Sequence, residues 1–183
     1  MGRRVFSDQL LHRLRGNIRV LFLAALALVP ASTWAQGSIG SAVKSIDGSP
    51  TTLQVNQVIA CRITFSCAGL EGPCGTYDLT DLVPPEVTYL AGTCSISDPL
   101  GSCDDSGAPN LVVSGTDFQD GDIVEVAFNV VVRSDLDFSG GPVSVTNTGS
   151  LTISQVAGGG NGTATPSITR PVQPPTNRWQ VSK

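Results

Sequence analysis

Alternation of apolar and polar residues with a period of two is the feature that most constrains the fold of this chain. It is clearest over 143–153 (VSVTNTGSLTI) and over 122–133 (DIVEVAFNVVVR). Because successive side chains of a strand point to opposite faces, such alternation predicts strands with one buried face. Strands are predicted near 41–46, 51–55, 57–67, 76–82, 86–91, 110–114, 122–133 and 143–155. Clusters of Gly, Pro, Asp and Ser separate these segments, so the sequence predicts an all-β, two-sheet Greek-key sandwich of about seven or eight strands.

The first 35 residues have the composition of a secretory signal peptide. Five arginines precede an apolar run at 20–29, and the small-x-small sequence 33–35 provides a cleavage site. The run is short for a membrane span, which favours cleavage over an uncleaved signal anchor. We therefore expect a signal peptide over 1–35 and one domain over 36–156, exported and with no membrane span in the mature chain.

The composition of the mature chain argues against an enzyme. The only histidine, His12, lies in the signal segment, which excludes hydrolases that use a histidine base and zinc sites built on imidazole. Residues 36–183 carry six basic and fourteen acidic side chains, a net charge of −8, which is a poor match for nucleic acid. We expect no enzymatic activity, no cofactor and no metal.

The five cysteines all lie in the mature chain, where an oxidising compartment favours disulfides. Cys67 and Cys74 flank one turn-rich loop, and Cys94 and Cys103 flank another, so these two pairs are the favoured disulfides. Cys61 is left over, and a buried free thiol, an intermolecular disulfide and a four-cysteine zinc site all remain open for it.

The composition changes after residue 156. The run AGGGNGT is rich in glycine, and the last fourteen residues, RPVQPPTNRWQVSK, are rich in proline. Residues 157–183 are expected to form a tail that is disordered, apart from one edge strand near 163–170.

Four segments in the same order resemble the DUF11-type conserved repeat domains of bacterial surface proteins. LTDLVPPEVTYLAG at 79–92 is similar to that family's acidic, proline-containing turn, and VIACRITFSC, FQDGDIVEVAFNVVVR and VSVTNTGSLTIS are similar to three of its strands. The resemblance covers about 40–155 and implies an immunoglobulin-like sandwich from a secreted or cell-surface protein. PPTNRW also resembles the start of a C-terminal sorting signal of Gram-negative bacteria, which implies a periplasmic, secreted or surface location in such a host and, since that signal would continue further, a truncated C-terminus.

The parity of the strands places three polar side chains toward the core. Asn147 shares its face with Val145 and Leu151, Asp81 lies on the apolar face of its strand, and so does Lys44. Burial of these groups without partners would cost several kcal/mol or more, so we expect them to contact one another.

An amine, a carboxylic acid and a carboxamide in one dry core can form an intramolecular isopeptide bond. The order of Lys44, Asp81 and Asn147 along the chain resembles that of Gram-positive pilin and adhesin domains that carry such bonds. The alternative is purely structural, with Asp81 bonding its turn, Asn147 satisfying a backbone group and Lys44 extending toward solvent.

The sequence therefore predicts a non-enzymatic structural or adhesive surface module, within a larger surface assembly and facing an unknown surface protein or glycan. The alternative is an extracellular carbohydrate- or ligand-binding module, which requires exposed aromatic side chains on one face.

Overall fold

The computed structural model describes residues 38–68, 73–154 and 162–175. The predicted signal peptide, 1–35, lies outside these residues, as does the end of the tail from 176 onward. In the described part of the chain, no helix is long and apolar enough to cross a membrane.

Twelve strands form two sheets within the described residues. The strands are β1 (Ser38–Ile46), β2 (Leu53–Gln54), β3 (Val58–Ala68), β4 (Gly75–Leu82), β5 (Val87–Tyr89), β6 (Ser95–Ile96), β7 (Ser102–Asp104), β8 (Asn110–Phe118), β9 (Ile123–Val132), β10 (Val143–Ser154), β11 (Gly162–Ala164) and β12 (Ser167–Gln173). The first sheet has the order β1-β3-β9-β5, with β6 also paired to β9. The second has the order β2-β12-β10-β4-β8-β7, with β11 paired to β10. The all-β, two-sheet sandwich is confirmed.

The alternation seen in the sequence becomes the inner face of each sheet. Strand β9 alternates buried and half-buried residues from Val124 onward. Strand β10 alternates buried residues with exposed or half-buried ones from Val145 onward. The long strands supply the fully buried side chains that fill the space between the sheets. Among them are Ile63, Phe65, Tyr77, Leu79, Phe128 and Leu151.

Three aromatic rings pack edge to face at one end of this core. The Phe65 and Tyr77 centroids lie 5.1 Å apart, and Phe118 lies 5.7 Å from Phe65 and 5.3 Å from Tyr77. Edge-to-face packing brings the positive edge of one ring against the negative face of another, which adds to the burial of apolar surface. The cluster therefore joins β3 of the first sheet to β4 and β8 of the second.

The structure differs from the sequence-based expectation at its short strands and at its C-terminal end. Strands β6 and β7 were not expected, because two or three residues are too few to show a period. The tail supplies β11 and β12 instead of one edge strand at 163–170, and the sandwich extends beyond 156 to Gln173. β12 lies between β10 and the short β2, and its Val172 is buried in the core.

Both disulfides connect the two sheets. The structure pairs Cys67 at the end of β3 with Cys74 just before β4, and Cys94 just before β6 with Cys103 in β7. These are the pairs that the spacing favours. Cys61 is a free thiol and is buried.

Candidate functional site

Among the described residues, the buried side chains with charged or strongly polar groups are those of Lys44, Asp81 and Asn147. Their exposed fractions are 5%, 2% and 3%, so all three lie in the core. Parity along the strands predicts this placement, because each side chain occupies a core-facing position of β1, β4 or β10.

The registers of the sheets bring the three side chains together. In the second sheet Asp81 pairs with Gly149, so Asn147 lies two residues along β10 and on the same face as Asp81. Lys44 pairs with Ile63 in the first sheet and faces the second across the core. The Lys44 Nζ contacts Asp81 Oδ2 directly.

The hydrogen-bonding capacity of the cluster is only partly used. Asp81 interacts with the Asn147 side chain as well as with Lys44. Yet Oδ1 of Asp81 and Oδ1 of Asn147 are buried with no hydrogen-bond partner. Buried polar atoms are nearly always satisfied, so two orphaned oxygens in one cluster mark an arrangement that packing alone does not require.

The surroundings of the cluster are apolar. The Lys44 Nζ lies 5.7 Å from the centre of the Phe128 ring. A Cβ added at Gly149 would lie 3.3 Å from a Leu79 methyl and 3.6 Å from an Ile63 methyl. The side chains of Lys44 and Asp81 are 0% and 2% exposed, so water is excluded from the amine and the carboxyl group.

Burial shifts the two ionisable groups in opposite directions. Desolvation lowers the pKa of Lys44, and the nearby Asp81 carboxyl group opposes this shift. Desolvation raises the pKa of Asp81, against the effects of Lys44 and Asn147. In both groups desolvation is the largest cause, so the site favours a neutral amine beside a neutral carboxylic acid.

Cys61 lies close enough to this cluster to interact with it electrostatically. Burial raises the pKa of its thiol to about 11, although the positive charge of Lys44 acts in the opposite direction. A thiol with this pKa is protonated at neutral pH and is a weak nucleophile. Since the Cys61 thiol is a weak nucleophile, the Lys44 amine is the nucleophile of the cluster.

The arrangement has the groups needed for amide exchange. A neutral amine is nucleophilic, and a protonated carboxyl group can donate to an amide oxygen. If Lys44 and Asp81 were both ionised, the result would be a buried ion pair with unsatisfied oxygens, which carries a large desolvation cost.

Two tyrosine–aspartate hydrogen bonds were not anticipated from the sequence. Tyr77 Oη donates to Asp98 Oδ2 at 2.6 Å, and Tyr89 Oη donates to Asp105 Oδ2 at 2.6 Å. Asp105 also accepts a hydrogen bond from the Gly92 amide at 2.7 Å. These bonds fix the segment around the Cys94–Cys103 disulfide. The tyrosine and the aspartate of each pair are far apart along the chain, so no local sequence pattern indicates the bond.

The aromatic side chains in the described residues lie in the core or pack against it. An exposed aromatic platform, which the carbohydrate-binding alternative requires, is therefore not seen in this part of the chain. The described residues also hold no group of three or more His, Cys, Asp or Glu side chains arranged for a metal ion.

No protein-family model matches the chain, and no curated protein matches it either. Similar folds occur among solved structures. BcpA, the major pilin subunit of Bacillus cereus, aligns with a TM-score of 0.57 and 15% identity over 73% of this chain. Domains D2 and D3 of the major pilin SpaD from Corynebacterium diphtheriae align with a TM-score of 0.52 and 12% identity over 70% of the chain. The T6 backbone pilin of Streptococcus pyogenes aligns with a TM-score of 0.52 and 12% identity over 74%.

The chain spans 40% of BcpA, 51% of the SpaD fragment and 36% of the T6 pilin. At these identities the likeness concerns the fold. The chain therefore shares its β-sandwich architecture with domains of bacterial surface pilins.

Proposed function

We propose that this chain is an exported, non-enzymatic structural or adhesive module of a bacterial surface assembly, locked by an isopeptide bond between Lys44 Nζ and Asn147 Cγ. The observation that carries the proposal is the contact of a buried amine, carboxyl group and carboxamide on three strands of two sheets. The pilin-like fold and the two disulfides are consistent with an extracellular structural role.

The bond forms by exchange of one amine for another on the Asn147 carboxamide. The neutral Lys44 Nζ attacks Asn147 Cγ, and protonated Asp81 donates a proton to Asn147 Oδ1, which stabilises the tetrahedral intermediate. Asp81 then takes a proton from Nζ and passes one to Nδ2, which leaves as ammonia, and the proton on Oδ1 returns to Asp81 as the carbonyl re-forms. The Nζ–Cγ amide replaces the Cγ–Nδ2 amide, and Asp81 ends in its starting protonation state.

The fold contributes to each part of this reaction. Desolvation favours the neutral amine and the neutral acid, which are the reactive forms of Lys44 and Asp81. The β4–β10 register holds the acid beside the amide, and β1 brings the amine across the core. Such positioning replaces a bimolecular encounter and supplies much of the rate.

Intact-mass measurement of the purified chain tests the proposal. With both disulfides accounted for, the wild type should be lighter than its sequence by one ammonia. Lys44→Met, Asn147→Ala and Asp81→Asn should each have the full mass, since each removes one of the reacting groups. Asn110→Ala changes an exposed asparagine and should still lose ammonia.

Peptide mapping then locates the bond. After proteolysis, a branched peptide should join the segment around Lys44 to the segment around Asn147. A folded wild type with the full mass, or an ammonia loss that persists in Lys44→Met, would remove the crosslink from the proposal. The pilin-like fold would then remain as the support for a structural module without a crosslink.

A further inference from the structure

The strand that carries Lys44 differs in position from those that carry the rest of the buried cluster. Among the described residues, β1 lies at the edge of the first sheet and pairs with β3 alone. Asp81 and Asn147 lie on β4 and β10, which are interior strands of the second sheet. Removal of β1 would therefore leave every other strand pair intact. The site is divided between one detachable strand, which holds the amine, and the remaining sandwich, which holds the acid and the amide.

The connection that follows β1 is short, largely exposed and strained. It comprises residues 47–52, between the end of β1 and the start of β2, and four of the six are exposed. Gly48 and Ser49 have positive φ angles of 73° and 44°. Glycine adopts such angles freely, but a serine in the left-handed region is strained. A short connection under strain favours exchange of the strand that it joins, because extending the connection relieves the strain.

Exchange of β1 between two copies would preserve most of the contacts of this strand. β1 pairs with β3 from its first residue to its last. Just beyond it, the Asp47 carboxylate accepts two hydrogen bonds from the Arg62 guanidinium of β3. The same bonds form when β1 lies against β3 of a second copy. Opening the connection breaks its own turn bond and the bond from Arg170 to the Pro50 carbonyl, so exchange is a low-cost route to a dimer.

A β1 strand inserted into a second copy would carry its lysine into the core of that copy. The register sets Lys44 opposite Ile63 of the receiving β3, as it does within one chain. The amine then contacts Asp81 and faces Asn147 of the receiving copy. The same reaction joins the two chains: the Nζ–Cγ bond forms, the Cγ–Nδ2 bond breaks and ammonia leaves.

We propose that two copies of this chain exchange β1 and that Lys44 of each copy forms the isopeptide bond with Asn147 of the other. The inference rests on the proposed function, because it uses the same reaction, and it adds a second copy of the chain as a covalent partner. A chain that has reacted with its own Asn147 is no longer able to exchange. Exchange therefore competes with the intramolecular bond during folding, and its product increases with protein concentration.

A mixture of two variants that cannot react alone tests the exchange. Lys44→Met has the acid and the amide but no amine, and Asn147→Ala has the amine but no amide. The two full-length variants are unfolded together with their disulfides intact, refolded at high protein concentration and analysed by electrophoresis under reducing conditions. A covalent dimer should form in the mixture, lighter than the sum of the two chains by one ammonia. Neither variant alone should give a dimer, and the yield should fall severalfold when the mixture is refolded at low concentration.

Lys44→Met/Asp81→Asn is the matched control for Lys44→Met. It offers the amide without the acid, so its mixture with Asn147→Ala should give no covalent dimer. Lys44→Arg takes the place of Lys44→Met if that variant does not fold, as judged by circular dichroism. Arginine keeps a cation beside Asp81, and its guanidinium stays protonated and is not a nucleophile.

A wild type that loses ammonia as a monomer, with no covalent dimer in the mixture of variants, would overturn the exchange and leave the proposed function intact. A folded wild type of full mass would remove the crosslink of the proposed function, and the exchange with it. A dimer in the control mixture would also overturn the exchange. So would a branched peptide that lacks Lys44 or Asn147, because the chains would then be joined elsewhere.

Discussion

The proposed bond has a mechanical consequence whose size follows from the positions of its two ends. Stretching the chain from its termini should release less length in the crosslinked wild type than in Asn147→Ala. Subtracting 44 from 147 gives 103 residues between the two side chains. The disulfides already close segments with sequence separations of 7 and 9 inside this span, which leaves 87 residues that the bond alone locks.

An extended chain gains at most about 3.5 Å per residue, so these residues correspond to about 300 Å of length. Single-molecule force spectroscopy under oxidising conditions measures this difference. The wild type should release only the segments outside the bond, which are the start of β1 and the chain after Asn147. Asn147→Ala should release about 300 Å more.

Two further variants separate the bond from other effects of the substitution. Lys44→Met removes the other end of the bond and should give the same long release as Asn147→Ala. Asn110→Ala keeps both ends and should behave as the wild type. Equal release from the wild type and from Asn147→Ala, with both proteins folded, would refute the reasoning, because nothing would then join β1 to β10 covalently.

Three other predictions follow from the core. Lys44→Met leaves Asp81 buried without its lysine partner, and desolvation keeps the folded pKa of Asp81 above the ordinary 3.8. Stability should therefore fall as pH rises from 3.8 through that folded pKa, by about 1.4 kcal/mol for each pH unit of the window. Thermal unfolding should show this loss as the difference between Lys44→Met and Lys44→Met/Asp81→Asn across the same pH range; identical profiles would contradict it. Cys61, 3% exposed and with a thiol pKa of about 11, should react with a thiol reagent only after unfolding, and a rapid reaction of the native protein would be the contrary result. Gly115→Ala places a Cβ 2.2 Å from a buried tyrosine ring and should lower the free energy of unfolding by about 1–3 kcal/mol in a denaturant titration, whereas Gly140→Ala, which meets nothing within 4 Å, should have little effect.

The burial of the three polar side chains could be predicted from the sequence because a strand has a period of two. Once β1, β4 and β10 are recognised, parity alone places Lys44, Asp81 and Asn147 toward the core. The burial of all three agrees with that argument. Parity does not specify which buried groups meet across the sheets, because this depends on register and on the relative position of the two sheets.

The C-terminal end was harder to predict because its composition and its periodicity conflict. Prolines and glycines after 156 indicate a tail, whereas Ile168, Arg170 and Val172 alternate with polar or exposed residues as a strand does. Residues 167–173 form a strand because the edge of β10 is available for hydrogen bonds with them.

The site also constrains the order of events in folding. A shift of one residue in the β4–β10 register would move Asp81 or Asn147 to the opposite face of its strand, away from the amine of Lys44. In the unfolded chain the lysine is solvated and protonated, and the carboxyl group is ionised at neutral pH, so neither is in its reactive form. The proposed bond therefore forms only after both sheets have reached their native register and have excluded water from the core. It then preserves an arrangement that packing has already selected, which is why the variants that cannot form it should still fold while losing resistance to extension.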